Sequence, residues 1–126
     1  MPTQRPATIR LRTSLFEDAA AIVEEEYGSE LALDDVARRI ASSRRQLQRA
    51  YAEIGHTTFR EHLTAVRMAK AAQLLRNPSL TIREVARRVG YSQPAQFAKA
   101  FRRYHGAAPS GFRAAATNAR LSPAHA

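Results

Sequence analysis

The chain has 126 residues, 44% of them hydrophobic, no cysteine and a formal net charge of +9. That length holds one compact domain or two very small ones, and the missing cysteines exclude disulfides, thiolate nucleophiles and the common zinc clusters. No apolar run nears the roughly 18 residues of a membrane span, and the first residues lack a secretory apolar segment, so a soluble, cytoplasmic protein with no membrane partner is expected.

Residues 1–13 hold two prolines and three arginines without period and read as a flexible basic tail. Ser14 with Glu17 has the capping-box spacing, so a first helix is expected from there to about Tyr27, stopped by Gly28. Leu15, Ala19, Ile22 and Val23 share one face of it, while Glu24 to Glu26 read as a solvated run. A second helix begins near Leu33, with Asp34 and Asp35 favourably placed at its N-terminus. Ser43 with Gln46 makes another capping box and opens a third helix, which completes a first unit over 14–57.

A longer helix follows from about Phe59 to Leu75, periodic through Phe59, Leu63, Val66, Ala69 and Leu74 and ended by Asn77 and Pro78; it makes 58–77 a linker. Thr81 and Glu84 form a third capping box. Gly90 is the residue expected to take the left-handed conformation of a sharp turn. Ser92 is expected to cap the next helix, with Pro94 in its first turn, where a missing N–H costs nothing. A short helix from about Pro109 to Ala114 closes a second unit over 78–114, and 115–126 read as a flexible tail. The fold class is all-α, with about seven helices in two helix-turn-helix subdomains joined by a long linker helix.

The two units are variants of one pattern. Leu33, Val36, Ala37 and Ile40 lead to Leu47, Ala50, Tyr51 and Ile54; Ile82, Val85, Ala86 and Val89 lead to Phe97, Ala100, Phe101 and Tyr104. The offset is 49 residues before the turn and 50 after it, a slip placed where loops absorb insertions. Charge follows the same division. Residues 1–36 carry three arginines against eight acidic residues, a net −5, whereas 37–126 carry seventeen basic against three acidic residues, a net +14. A positive field of that kind attracts polyanions, because releasing counterions from phosphates drives sequence-independent binding. Eighteen of the twenty basic residues are arginine, which suits bidentate phosphate and guanine contacts.

Side-chain phase separates core from reading face. With Leu47, Ala50, Tyr51 and Ile54 inward, Arg45, Gln48, Arg49 and Ala52 form an outward stripe. With Phe97, Ala100, Phe101 and Tyr104 inward, the matching stripe is Ala95, Ala98, Lys99 and Arg102.

From Ser14 to Arg113 the chain resembles the DNA-binding domain of the AraC/XylS transcription regulators. The similarity is carried by VARRVGYSQPAQFAKAFRRYHGAAPSGFR at 85–113, through the spacing of Val85, Gly90, Tyr91, Phe97, Phe101, Gly106, Pro109 and Phe112, with VARRIASSRRQLQRAYAEIG at 36–55 as its partner. The resemblance implies a bacterial activator or repressor that reads an asymmetric promoter site, and it matches Arg45, Gln48 and Arg49 to base-reading positions. Pro94 and Ala95 depart from it, standing where relatives often carry polar residues.

Arginine pairs with guanine O6 and N7 and glutamine with adenine. In the second unit base reading would rest on Gln93, Gln96 and Lys99, with Arg102 and Arg103 holding phosphates, as Arg44 would in the first. The first unit should therefore carry most base discrimination and the second mostly affinity. A linker helix of about 25 Å could space two recognition helices roughly one DNA turn apart, so a monomer could read double-stranded DNA of about 15 to 20 base pairs. An effector domain is not expected within 126 residues, and RNA polymerase is a further partner compatible with the acidic first helix. A nonspecific architectural DNA-binding protein is the alternative; it would need only phosphate-contacting charge, and Gln48, Gln93 and Gln96 beside Arg45 and Arg49 count against it. Glycine-rich phosphate loops and a nucleophile elbow are absent. His56, His62, His105 and His125 lack metal-ligand spacing and read as surface or cap residues, so no enzyme activity, metal or cofactor is expected.

Overall fold

The computed structural model describes residues 5–121. Among them the chain is all-helical, with seven α-helices and one π-helical turn: α1 Pro6–Glu26, α2 Leu33–Arg39, α3 Arg44–Ala50, the π turn Tyr51–Gly55, α4 Phe59–Leu74, α5 Ile82–Arg88, α6 Pro94–His105 and α7 Pro109–Leu121. No described helix is long and apolar enough to cross a membrane.

Two compact units divide between Val66 and Arg67. The division falls within α4, whose first half belongs to one unit and whose second half belongs to the other. In the first unit Leu15, Ala19 and Val23 of α1 pack with Val36, Ala37, Leu47, Ala50, Tyr51, Phe59 and Leu63. This is the helical period made three-dimensional, one apolar stripe per helix turned to a common core. The second unit buries Met68, Ala71, Leu75, Leu80, Val85, Ala86, Val89, Phe97 and Phe101.

Both termini are more helical than the sequence suggested. The basic tail expected over 1–13 is helix from Pro6 onward, with the proline at the first helical position, where its fixed φ suits a helix start. Ser14 therefore lies inside α1 and caps nothing. Arg12 pairs with Glu53, 41 residues away, a partner that no local pattern announces. At the other end α7 runs on to Leu121 rather than stopping at Ala114, because no breaker follows the alanines before Pro123. Residues 1–4 and 122–126 of the expected tails, and His125 with them, lie outside the described residues. The acidic run of α1 is not wholly solvated either. Glu26 receives two hydrogen bonds from Arg39, at 2.8 and 2.6 Å, which hold its carboxyl below the usual range.

The capping boxes at Ser43–Gln46 and Thr81–Glu84 are both formed. Each satisfies two backbone donors that the first helical turn leaves open. Ser43→Ala and Thr81→Ala should each cost about 1 kcal/mol of stability, read as a lower urea midpoint with an unchanged slope. The cap expected at Ser92 is absent. Pro94 bars the preceding residue from helical geometry, so Gln93 becomes the N-cap, extended at φ −113° and ψ 113°, without a side-chain cap bond.

Two histidines read as surface or cap residues are structural. Nδ1 of His62 lies 2.8 Å from the Tyr51 hydroxyl, within an aromatic cluster that includes Phe16 and Phe59. Burial raises the Tyr51 phenol to about 12 and lowers His62, against a smaller opposing pull from Glu24. A histidine favoured neutral in the fold contributes stability that is complete above its unfolded value of 6.5 and declines as pH falls through that value towards the lower folded one. Urea midpoints should therefore fall more steeply for the parent than for His62→Gln between about pH 7.5 and pH 5.5. Parallel pH profiles would count against this role.

His105 lies in the second unit with Nε2 3.0 Å from the Met68 carbonyl oxygen, to which it donates. Its ring stacks on Phe101 at 4.4 Å and on Phe112 at 5.6 Å. It takes the inward place expected for Tyr104, which is 52% exposed. The imidazole finds a carbonyl partner there that the Tyr104 hydroxyl does not need, since it can reach water.

Candidate nucleic-acid interface

The two helix-turn-helix turns close in the same way. Ser42 N–H donates to Ala37 O at 2.8 Å and Ala41 N–H to Arg38 O at 3.1 Å; Tyr91 N–H donates to Ala86 O at 2.9 Å and Gly90 N–H to Arg87 O at 3.1 Å. These 6→1 and 5→2 bonds form the Schellman closure, which needs a left-handed residue after the helix. Gly90 supplies it at φ +93° and Ala41 at φ +55°. The turns set the directions in which α3 and α6 leave them.

In α3 the inward residues Leu47, Ala50 and Tyr51 are buried, and Arg44, Arg45, Gln48, Arg49 and Ala52 are exposed. Arg45 and Arg49 stand one helical turn apart with Gln48 between them, and none of the three is held by an ion pair or side-chain hydrogen bond among the described residues. Arg44 differs, since its guanidinium lies 3.4 Å from Asp34, with both groups well exposed. Such a pair is weakly held and can exchange for a phosphate at little cost.

In α6, Phe97 and Phe101 are buried, while Gln93, Ala95, Gln96, Lys99, Arg102 and Arg103 are exposed. Ala98 of the expected outward stripe is half-buried, so the face is centred on Ala95, Gln96, Lys99, Arg102 and Arg103. Six donors or acceptors of the candidate set therefore line two helix faces, Arg45, Gln48 and Arg49 on one and Gln93, Gln96 and Lys99 on the other. No group of acidic, histidine or cysteine residues among the described residues could hold a metal ion.

The residue least visible in the sequence is Arg113 of α7. It donates to the carbonyl oxygens of Leu75 at 2.9 Å, Leu80 at 2.7 Å and Asn77 at 3.3 Å, closing the end of α4 and the loop that leads into α5. A guanidinium fork, with five N–H donors spread over a plane, suits three carbonyls at separate places. Its position in the 85–113 motif was the available signal, though nothing there named the partners.

Two helix-turn-helix units with exposed, basic recognition helices define a DNA-binding protein. The helix-turn-helix domain family matches residues 36–115, which include both turns. The chain is 37% identical over 92 residues to the Msm operon regulatory protein of Streptococcus mutans, covering 73% of this chain and 33% of that protein. It is likewise 37% identical over 109 residues to an HTH-type transcriptional regulator of Mycobacterium bovis, covering 86% and 29%. Among solved structures, the DNA-binding domain of AdpA, a global transcriptional factor in complex with a target DNA, superposes with a TM-score of 0.79 at 26% identity, covering 86% of this chain and 97% of that one. An AraC-type regulator from Chromobacterium violaceum gives 0.76 at 26%, covering 83% and 94%. The chain belongs to the AraC-type helix-turn-helix family of DNA-binding transcription regulators. It spans about a third of the length of the two sequence relatives.

Proposed function

We propose that the chain binds double-stranded DNA as a monomer and regulates transcription from an asymmetric promoter site, with α3 and α6 each entering a major groove. The observation that carries this reading is the α3 face, where Arg45, Gln48 and Arg49 are exposed and uncommitted to other side chains. Directional donors already free of internal partners can bond to base edges without first breaking a protein contact. Gln93, Gln96 and Lys99 read bases from the second unit, and Arg44, Arg102 and Arg103 take phosphates. Because the two faces differ in chemistry, one chain suffices for a non-palindromic site. A nonspecific architectural role would leave Gln48, Gln93 and Gln96 without a task.

Selection of bound fragments from a random DNA pool tests this. The selected motif should be lopsided, sharply defined in the half-site under α3 and degenerate or rich in A and T under α6, where Ala95 offers shape rather than hydrogen bonds. Arg102→Ala/Arg103→Ala should lower affinity on every sequence and reduce the salt slope by up to about two units. Two equally sharp half-sites would reverse the assignment of roles, and a pool that yields no motif would leave an architectural protein.

A further inference from the structure

The second unit holds a feature that the reading face does not use. Arg83 and Arg87, four residues apart on α5, line with Tyr91, Ser92 and Pro94 an open notch of about 470 Å³, on the flank of the turn that sets α6. Four residues apart on a helix the two guanidiniums are neighbours, and like charges so placed repel. Both are exposed, and neither makes an ion pair or side-chain hydrogen bond among the described residues. Glu84, whose charge acts on Arg87 and Arg88, is committed to the N-cap of α5, where it accepts from the Thr81 N–H at 3.2 Å. The Ser92 hydroxyl is also without a protein partner among the described residues, and Pro94 contributes no N–H.

The first unit shows what this position looks like when it is neutralised. At the 49-residue offset Asp34 stands for Arg83 and Arg38 for Arg87. There Asp34 faces Arg44 and Asp35 pairs with Arg38, so each guanidinium has a carboxylate. The second unit puts a second cation, Arg83, where Asp34 stands, and holds the carboxylate at the Asp35 place, Glu84, in the N-cap of α5, so two forks and a hydroxyl line the open notch with no carboxylate among its lining residues.

We infer that Arg83, Arg87 and Ser92 form a phosphodiester-binding site that grips the DNA backbone beside the groove entered by α6, a role that rests on the functional reading above. A phosphodiester fits because its two non-bridging oxygens accept from guanidinium forks and a hydroxyl together, and its charge relieves their repulsion. The site makes the second unit the electrostatic anchor of the chain.

The test compares the parent with Arg83→Gln/Arg87→Gln and Arg83→Lys/Arg87→Lys on a selected duplex and a scrambled one across a salt series. Each lost phosphate contact removes about 0.9 from the slope of log K against log salt. The glutamine pair should therefore lose about one unit of slope and equal affinity factors on both duplexes, with the gap from the parent widening about three- to fourfold as salt falls from about 200 to 50 mM. The lysine pair should restore the slope, since it restores the charge. Because both side chains are exposed, thermal midpoints should not move. An unchanged slope in the glutamine pair, or a loss confined to the selected duplex, would overturn the site while leaving the functional reading intact. A parent that binds neither duplex would overturn that reading and the site together.

Discussion

Replacing Arg49 with alanine is expected to weaken binding to the selected site by about 1–3 kcal/mol, up to roughly a hundredfold, and to relax one base position. Arg49 lies in the last turn of α3 on the side opposite Leu47, Ala50 and Tyr51, and it is exposed. A guanidinium without an internal carboxylate brings its full hydrogen-bonding capacity to guanine O6 and N7, and the wrong base leaves those donors unmatched. Arg45, one turn earlier, is expected to meet a different base pair. Losses at separate base pairs add roughly, so Arg45→Ala/Arg49→Ala should lose about the sum of the two single effects and relax two positions. The readout is paired titration of the selected and scrambled duplexes. Equal losses on both would make Arg49 a phosphate anchor instead of a reader.

Gly90→Val should unfold the second unit more readily and weaken DNA binding through it. At φ +93° a β-branched residue carries backbone strain of about 1–3 kcal/mol. There is also a steric component, since a Cβ at this place would lie 2.8 Å from the Arg67 guanidinium. That guanidinium is half-buried, desolvated enough to lower its basicity, and sits over the Tyr91 ring at 5.8 Å. Displacing it disturbs the stacking that backs the turn. Each kcal/mol should lower the thermal midpoint by roughly 4–8 °C for a unit of this size. Substitutions should rank Asn, then Ala, then Val in increasing damage, because asparagine tolerates the left-handed region and alanine already occupies it at Ala41, φ +55°. A valine variant with an unchanged midpoint would remove this account of the turn.

The outward faces of α3 and α6 were legible in the sequence because both helices are short and strongly periodic. Once Leu47, Ala50 and Tyr51 are assigned inward, Arg45, Gln48 and Arg49 can only point outward, since 3.6 residues per turn leaves no other choice. The same logic failed at the end of α6, where Tyr104 and His105 are adjacent and either could close the stripe. Periodicity there does not discriminate, and the deciding fact is a carbonyl, that of Met68, 37 residues earlier. Ser92 failed for a different reason. The cap signal was right in kind, but Pro94 sets the helix start by sterics, which override a side-chain hydrogen bond one residue upstream.

What the sequence determined by itself is therefore what local chemistry decides: seven helices, two capping boxes, the left-handed Gly90, the outward arginines and the charge that draws DNA. Each depends on residues within a turn or two of one another, so a window of the chain contains the whole cause. The tertiary structure alone decided the rest. α1 reaches back to Pro6, where Arg12 finds Glu53; Tyr51 holds His62; and Arg113 gathers three carbonyls from 33 to 38 residues away. Such contacts arise only when packing of the apolar stripes brings distant segments together, and the energy that selects them, burial with every polar group satisfied, is a property of the folded unit rather than of any stretch within it.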